Sequence, residues 1–185
     1  MPRLVAFVAA LLLAACAVRP VAQALPLPPR EALAGFAIEG RFSLTQDHER
    51  HAGRLSWQHL AGTDSLQIAS PFGQTVAEIV VVPGRAQLET SDRQRFEAAD
   101  AAALTREVLG YALPVTALAD WLLGRGAGDV AHDALGRPLS LRAGEWEVSY
   151  EYDSADAAAL PDRLQVRREG GPDIRLRIEE WKVLP

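Results

Sequence analysis

Cys16 is the only cysteine of this 185-residue chain, and its thiol is the side-chain group with the clearest chemical use. It directly follows Ala14 and Ala15, at the end of an apolar run over residues 4–15 that begins after Arg3. This run is shorter than the about 20 residues of a transmembrane helix, and its cationic start and small-residue end are typical of a secretory signal. Because a sole cysteine cannot form an intrachain disulfide, an exported protein needs another reason to keep it.

The predicted reason is acylation. The sequence Leu-Ala-Ala-Cys at residues 13–16 resembles the lipobox of bacterial lipoproteins, so we expect cleavage before Cys16 and fatty acyl chains attached to that cysteine. Several long chains hold a protein on a bilayer almost irreversibly, since each buried methylene contributes ~0.8 kcal/mol. The alternative is an ordinary signal peptide with an incidental cysteine. The prediction is thus a signal peptide over residues 1–15, a lipidated proline-rich tether over residues 16–30 and one folded domain over residues 31–185.

The other nucleophilic and ionisable residues form no recognisable catalytic or metal-binding pattern. Of the four histidines, only His48 and His51 lie close together, and a transition metal needs three or four converging ligands. The sequence Gly-Arg-Gly-Ala-Gly at residues 124–128 follows a predicted helix, whereas a phosphate-binding loop opens one. The nucleophile turn G-x-S-x-G of many hydrolases is absent from the sequence. We therefore expect no enzyme activity, no catalytic residues, no metal and no cofactor.

The net charge bears on the class of partner. The formal charge is −5, and the basic residues are scattered along the chain. Such a chain is not expected to bind nucleic acid or to adsorb to anionic lipid. A hydrophobic content of 49% with 23% charged residues is ordinary for a globular protein, so composition alone indicates no function.

Phe72 is the most unusual residue outside the signal region. It lies between Pro71 and Gly73, in a turn that is predicted to join two strands. Turns face solvent, so the ring is expected to be exposed, although a single apolar turn residue also often folds back onto the core. If the ring protrudes, a bilayer is the expected partner, since insertion of Phe contributes ~2 kcal/mol.

Alternation of apolar and polar residues predicts antiparallel strands on both sides of the centre. The clearest case is residues 145–152, where Trp146, Val148 and Tyr150 alternate with polar residues. The run at residues 75–82 is apolar on both faces apart from Glu78, which favours a central strand. The predicted strands lie within residues 36–44, 54–60, 65–69, 75–82, 145–152, 164–166 and 174–178. Short strands joined by Gly and Pro turns indicate one curved antiparallel sheet or barrel.

Two helices are predicted between the strands. Asp100 can cap the first, which ends at Gly110, and Pro114 suits the first turn of the second, which ends at Gly124. Residues 124–138 are predicted to be a loop. A short helical turn at residues 30–34 is a third candidate. Helices inserted in a meander are expected to cover one open side of the sheet.

An ordered set of motifs resembles the LolB family, outer-membrane lipoproteins that receive other lipoproteins. The most specific motif is LPVTALADWLLG at residues 113–124, whose proline, leucines, tryptophan and glycine fall at the family spacing. The others are GRFSL at 40–44, GRLSWQ at 53–58, SPFGQT at 70–75, GEWEVSY at 144–150, LPDRLQV at 160–166 and IRLRIEEW at 174–181. The resemblance implies a mainly β fold, a single incomplete, unclosed antiparallel barrel with an apolar cavity covered by two or three short helices.

The resemblance also implies a function in protein transport. A member of this family accepts triacylated lipoproteins from the soluble periplasmic carrier LolA and, like a chaperone, covers their acyl chains before inserting them into the outer membrane. The expected protein is a monomer, lipid-anchored to the outer membrane and facing the periplasm. Ala17 after the acylated cysteine is compatible with outer-membrane sorting. Phe72, flanked by Pro71 and Gly73, looks like the family's membrane-acting loop residue.

The apolar faces supply candidate cavity residues. We expect the concave face of the sheet to be lined by Trp57, Leu66, Ile68, Trp146, Val148 and Tyr150, and to be covered by Leu118, Trp121 and Leu122. The alternative is that these residues form plain core. Two competing functions stay open at this point: a static lipid-binding or envelope-scaffold lipoprotein, and a tethered esterase.

Overall fold

The computed structural model describes residues 29–185, so the predicted signal peptide, Cys16 and most of the predicted tether lie outside the described residues. The described chain forms eleven strands and two α-helices. The strands are β1 (Gly35–Gln46), β2 (Glu49–Leu60), β3 (Thr63–Ala69), β4 (Thr75–Val82), β5 (Arg85–Thr90), β6 (Arg95–Ala98), β7 (Asp129–His132), β8 (Pro138–Ala143), β9 (Trp146–Glu151), β10 (Arg163–Arg168) and β11 (Asp173–Leu184). The helices are α1 (Ala101–Leu109) and α2 (Val115–Leu122), and Arg30–Ala32 form a single 3₁₀ turn before β1.

All eleven strands belong to one antiparallel sheet in the order β6-β5-β4-β3-β2-β1-β11-β10-β9-β8-β7. Strands that are consecutive in sequence pair with each other, except β6 and β7. The sheet is joined in the middle because β11 pairs with β1, from Gly35 opposite Leu184 onward. The short strands β6 and β7 are therefore the two free edges, and the chain between them contains both helices. The helices cover the side that the sheet leaves open, which confirms the predicted unclosed barrel.

The strand periodicity explains which residues form the core. Ile38 and Trp57 are directly opposite each other on β1 and β2, and both are buried, while Glu39 and Ser56 beside them face solvent and hydrogen-bond at 2.6 Å. Because side chains alternate along a strand, one apolar face is covered and the other is wet. The seven predicted strands are all present.

Four short strands are absent from the sequence prediction. They are β5, β6, β7 and β8, and β7 lies inside residues 124–138, so the loop predicted there is wrong in its central part. β4 does lie between two neighbours, as predicted, but only its inner face is covered. Val80 on the outer face is 42% exposed. The edge strands β6 and β7 have four residues each and carry too few inward residues for a clear alternation.

Both helices follow their predicted end signals. The Asp100 side chain accepts a hydrogen bond from the Ala103 N–H at 2.7 Å, and Gly110 ends α1 with a left-handed φ of 84°. Pro114 is the residue before α2 rather than its first residue. Buried Thr105 joins the helices, because its hydroxyl donates to the Ala101 carbonyl and accepts from the Leu113 N–H. Within residues 29–185, no helix is long and apolar enough to cross a membrane.

Candidate functional site: an apolar cavity with an exposed phenylalanine at its mouth

A cavity of about 620 Å³ lies between the inner face of the sheet and the two helices. We call it the main cavity. Six of the predicted residues line it: Trp57, Leu66 and Ile68 from β2 and β3, and Leu118, Trp121 and Leu122 from α2. The structure therefore brings the sheet and helix candidates together around one apolar space. Occupation of that space by acyl chains stays a prediction.

Trp146, Val148 and Tyr150 do not line the main cavity. They lie under α2, where the Tyr150 hydroxyl donates to the Trp121 carbonyl at 2.7 Å and the Trp121 and Trp146 rings are 5.9 Å apart. Burial raises the pKa of Tyr150, so the hydroxyl remains a donor at neutral pH. In this structure the β9 side of the sheet is closed core, because α2 packs directly on it.

Other residues that line the main cavity are not among the predicted ones. They come from β4, β5, α1 and the β10–β11 pair, and include Ala77, Ile79, Leu88, Leu104, Val108, Leu164, Val166, Ile174 and Leu176. The helical spacing of Leu104 and Val108 could have indicated the α1 members. Leu88 was missed because β5 itself was missed.

Phe72 is at the tip of the turn between β3 and β4, and its side chain is 94% exposed. The Ser70 N–H donates to the Gln74 carbonyl at 2.8 Å, and the Gly73 N–H donates to the Ser70 carbonyl at 2.9 Å. Gly73 has a φ of 87°, a conformation that side-chain-bearing residues rarely adopt. The backbone thus holds the ring away from the core.

The main cavity opens where this turn lies. Ser70 and Pro71 line it together with exposed residues at the start of β2, Arg50 and His51. We call this end of the barrel the mouth. Phe72 itself does not line the cavity. The ring is therefore beside the opening and available to another surface.

A buried polar cluster supports the opposite, closed end of the cavity. The Trp57 indole N–H donates to Asp64 Oδ1 at 2.9 Å, and His59 Nδ1 lies 2.7 Å from the same oxygen. Asp64 is fully buried, and the Phe36 ring packs against both Trp57 and His59 at 5.5 Å. One carboxylate thus fixes the orientation of a cavity-lining tryptophan.

Replacement of Asp64 by Ala should lower the free energy of unfolding by roughly 3 kcal/mol, because two buried donors lose their acceptor. Urea unfolding would measure the change. Asp64→Asn keeps an acceptor for Trp57 and should cost less. Asp173→Ala, on a strand face at the surface, should cost under about 1 kcal/mol. An Asp64→Ala variant as stable as the wild type would show that the cluster does not stabilise the fold.

Comparison with known proteins decides the family. The family model described as "Outer membrane lipoprotein LolB" matches residues 34–181. The chain is 41% identical over 181 residues to the outer-membrane lipoprotein LolB of Dechloromonas aromatica, with 94% of each chain covered. It is 39% identical over 183 residues to that of an Azoarcus species, covering 97% of this chain and 94% of the relative.

The chain belongs to the LolB family. A solved LolA superfamily protein from Nitrosomonas europaea has the same fold, with a TM-score of 0.51, 10% identity, and 85% and 90% of the two chains covered. LolB membership confirms the predicted family, the outer-membrane localisation and the expectation that the protein is not an enzyme. It leaves the tethered esterase without support.

Within the residues that the structure describes, no group of three or more histidine, cysteine or carboxylate side chains could hold a metal ion. The histidines are placed accordingly. His59 is bound to Asp64, and His51 lies 3.7 Å from the Glu49 carboxylate on the same strand. The candidate site of this LolB family member is the apolar main cavity.

Proposed function

We propose that this protein accepts lipoproteins from a LolA-type periplasmic carrier, buries their acyl chains in the main cavity, and inserts them into the inner leaflet of the outer membrane. The observation that carries the proposal is the position of the exposed Phe72 directly beside the mouth of an apolar cavity. The proposal includes acylation of Cys16 as the protein's own anchor.

The energetics favour a passive route. A triacylated cargo exposes several dozen methylenes, and at ~0.8 kcal/mol each their passage through water would cost tens of kcal/mol. A concave apolar surface lowers this cost without any bond chemistry. Since the sequence contains no nucleotide-binding motif, we infer that transfer runs downhill, from carrier to main cavity to bilayer.

Mutual contact between this protein and the carrier is part of the proposal. The two proteins would present their openings to each other, so that the chains pass from one apolar surface to the next. In this arrangement the mouth must alternate between the carrier and the membrane. Phe72 then acts at the membrane step, because it lies outside the cavity that holds the chains.

A handover assay tests the proposal. The chain from residue 17 onward keeps the whole described domain with its core, and it would be mixed with a LolA-type carrier loaded with a labelled lipoprotein, then with liposomes. We expect the label to move to this protein and then to the vesicles. If the label never leaves the carrier, the receptor function is wrong, and a static lipid-binding lipoprotein becomes the better account.

A further inference from the structure

We propose that the main cavity also binds a single-chain amphiphile with an anionic head, such as a fatty acid or a lysophospholipid, with its chain inside the barrel and its head on Arg50. This ligand goes beyond the proposed handover of lipoproteins. It would occupy the protein between rounds of transfer, and incoming cargo would have to displace it.

The volume of the main cavity is sufficient for an acyl chain. At about 620 Å³ it lies in the size range of pockets that bind small ligands, about 300–1,000 Å³. Its wall consists mostly of apolar side chains, so a single acyl chain can be buried there away from water.

The ionisable side chains at the mouth favour a ligand with an anionic head. Arg50 and His51 are the only ionisable side chains among the lining residues, and both are at the opening. His51 has the Glu49 carboxylate 3.7 Å away, whereas none of the carboxylates whose side chains the structure describes is within ion-pairing distance of Arg50. An arginine guanidinium binds carboxylate or phosphate oxygens through two parallel hydrogen bonds.

A second, adjoining depression carries further arginines. This arginine groove, of about 490 Å³, is lined by Arg50 and by Arg41, Arg163, Arg175 and Arg177, together with Glu151. Arg41, Arg163 and Arg175 are each paired with a carboxylate, so Arg50 and Arg177 are the two without an ion pair among the described side chains. Arg41 and Arg177 are directly opposite each other on β1 and β11, although like charges in this position repel. Arg50 lines both the groove and the cavity, so one ligand can place its chain in one and its anionic head in the other.

Titration calorimetry on the chain from residue 17 onward would test the ligand below its micelle concentration. Palmitate and palmitoyl lysophosphatidylglycerol supply the two anionic heads, and monopalmitoyl glycerol is the neutral match. We expect both anionic ligands, or one of them, to bind at least about tenfold more tightly than the neutral one, since a charged hydrogen bond contributes that much. Which of the two binds identifies the head as carboxylate or phosphate.

Variants locate the two parts of the ligand. Arg50→Gln should remove the about tenfold preference and leave binding of the neutral ligand unchanged. Arg54→Gln is the matched control on the same strand, because Arg54 lines neither the cavity nor the groove. Ala77→Trp, which fills the cavity, should abolish binding of all three ligands.

Equal affinity for anionic and neutral ligands, or a preference that survives Arg50→Gln, would overturn the proposal, and so would no binding at all. The handover assay is independent of these results, so its success would leave the receptor function standing.

Discussion

Replacement of Phe72 by Glu should leave uptake from the carrier intact and should reduce delivery to liposomes by about thirtyfold. The reason is that Phe72 touches no part of the main cavity but is 94% exposed at the mouth. Insertion of its ring contributes about 2 kcal/mol, which corresponds to that factor. The measurement is the fraction of labelled lipoprotein in vesicles and on this protein after mixing with the loaded carrier.

Two variants make the Phe72 result specific. Phe72→Leu keeps an apolar side chain at the tip and should retain most of the delivery. Leu139→Glu changes another exposed apolar residue, which is 51% exposed on β8, and should have no effect. Should Phe72→Glu deliver as well as the wild type, the exposed ring would have no part in release, even though the receptor function could still hold.

Filling of the main cavity should block uptake itself. Ala77 on β4 lies opposite Ile68 on β3, and both line the cavity. A Trp at position 77 would occupy space that acyl chains need, so transfer of label from the carrier should fall at least tenfold. Stability should be unchanged or slightly raised, because the new ring fills a void.

The same strand supplies the control for the cavity variant. Val80 faces outward and is 42% exposed, so Val80→Trp adds an identical ring outside the barrel. It should transfer lipoprotein normally. If Ala77→Trp accepted cargo at the wild-type rate and thermal unfolding showed an intact fold, the acyl chains would have to bind somewhere other than the main cavity.

The strands that were predicted correctly share a physical property. In β9, Trp146, Val148 and Tyr150 alternate with polar residues over a full strand, and the inner face of the barrel buries Val148 and Tyr150 and half-buries Trp146. In β7, only Val130 is partly covered and its neighbours are exposed. This four-residue edge strand is stabilised by its pairing with β8, and its own residues show no alternation that would predict it. Local alternation therefore predicts the longer strands with one buried face and misses the short edge strands.

Strand periodicity predicts which apolar side chains point inward, but it does not predict which of them line the cavity and which form closed core. Trp57 and Tyr150 have the same alternation and similar burial, yet only Trp57 lines the cavity. The difference depends on where α2 rests. Its Trp121 packs against β9, and the Trp121 carbonyl accepts a hydrogen bond from the Tyr150 hydroxyl. The empty space therefore lies away from β9, along β1–β5, β10 and β11. The position of α2 on the sheet depends on tertiary packing, so the alternation of residues within a strand does not predict it.

Residue spacing alone allows two positions for the Phe72 ring, exposed at the turn or folded back onto the core. The structure resolves it through the backbone, since the turn hydrogen bonds and the positive φ of Gly73 direct the ring outward. Pro71 and Gly73 were visible in the sequence, and they predicted the turn. The direction of a single side chain at its tip depended on the register of β3 and β4, including the irregularity after Ile68.

The chain enters the domain at the end of the barrel that is farthest from Phe72. Arg30 donates to the Ala159 carbonyl and Arg125 donates to the Leu33 carbonyl, which fixes this entry point beside the start of β1. From there, the nine residue steps from Thr63 to Phe72 span roughly 30 Å at about 3.3 Å per residue. The twelve residues between Cys16 and Pro29 reach about 40 Å if extended. If Cys16 is acylated as proposed, a tether of this length exceeds the distance from the entry point to Phe72. The anchored protein could then present Phe72 either to the membrane that holds it or to an approaching carrier.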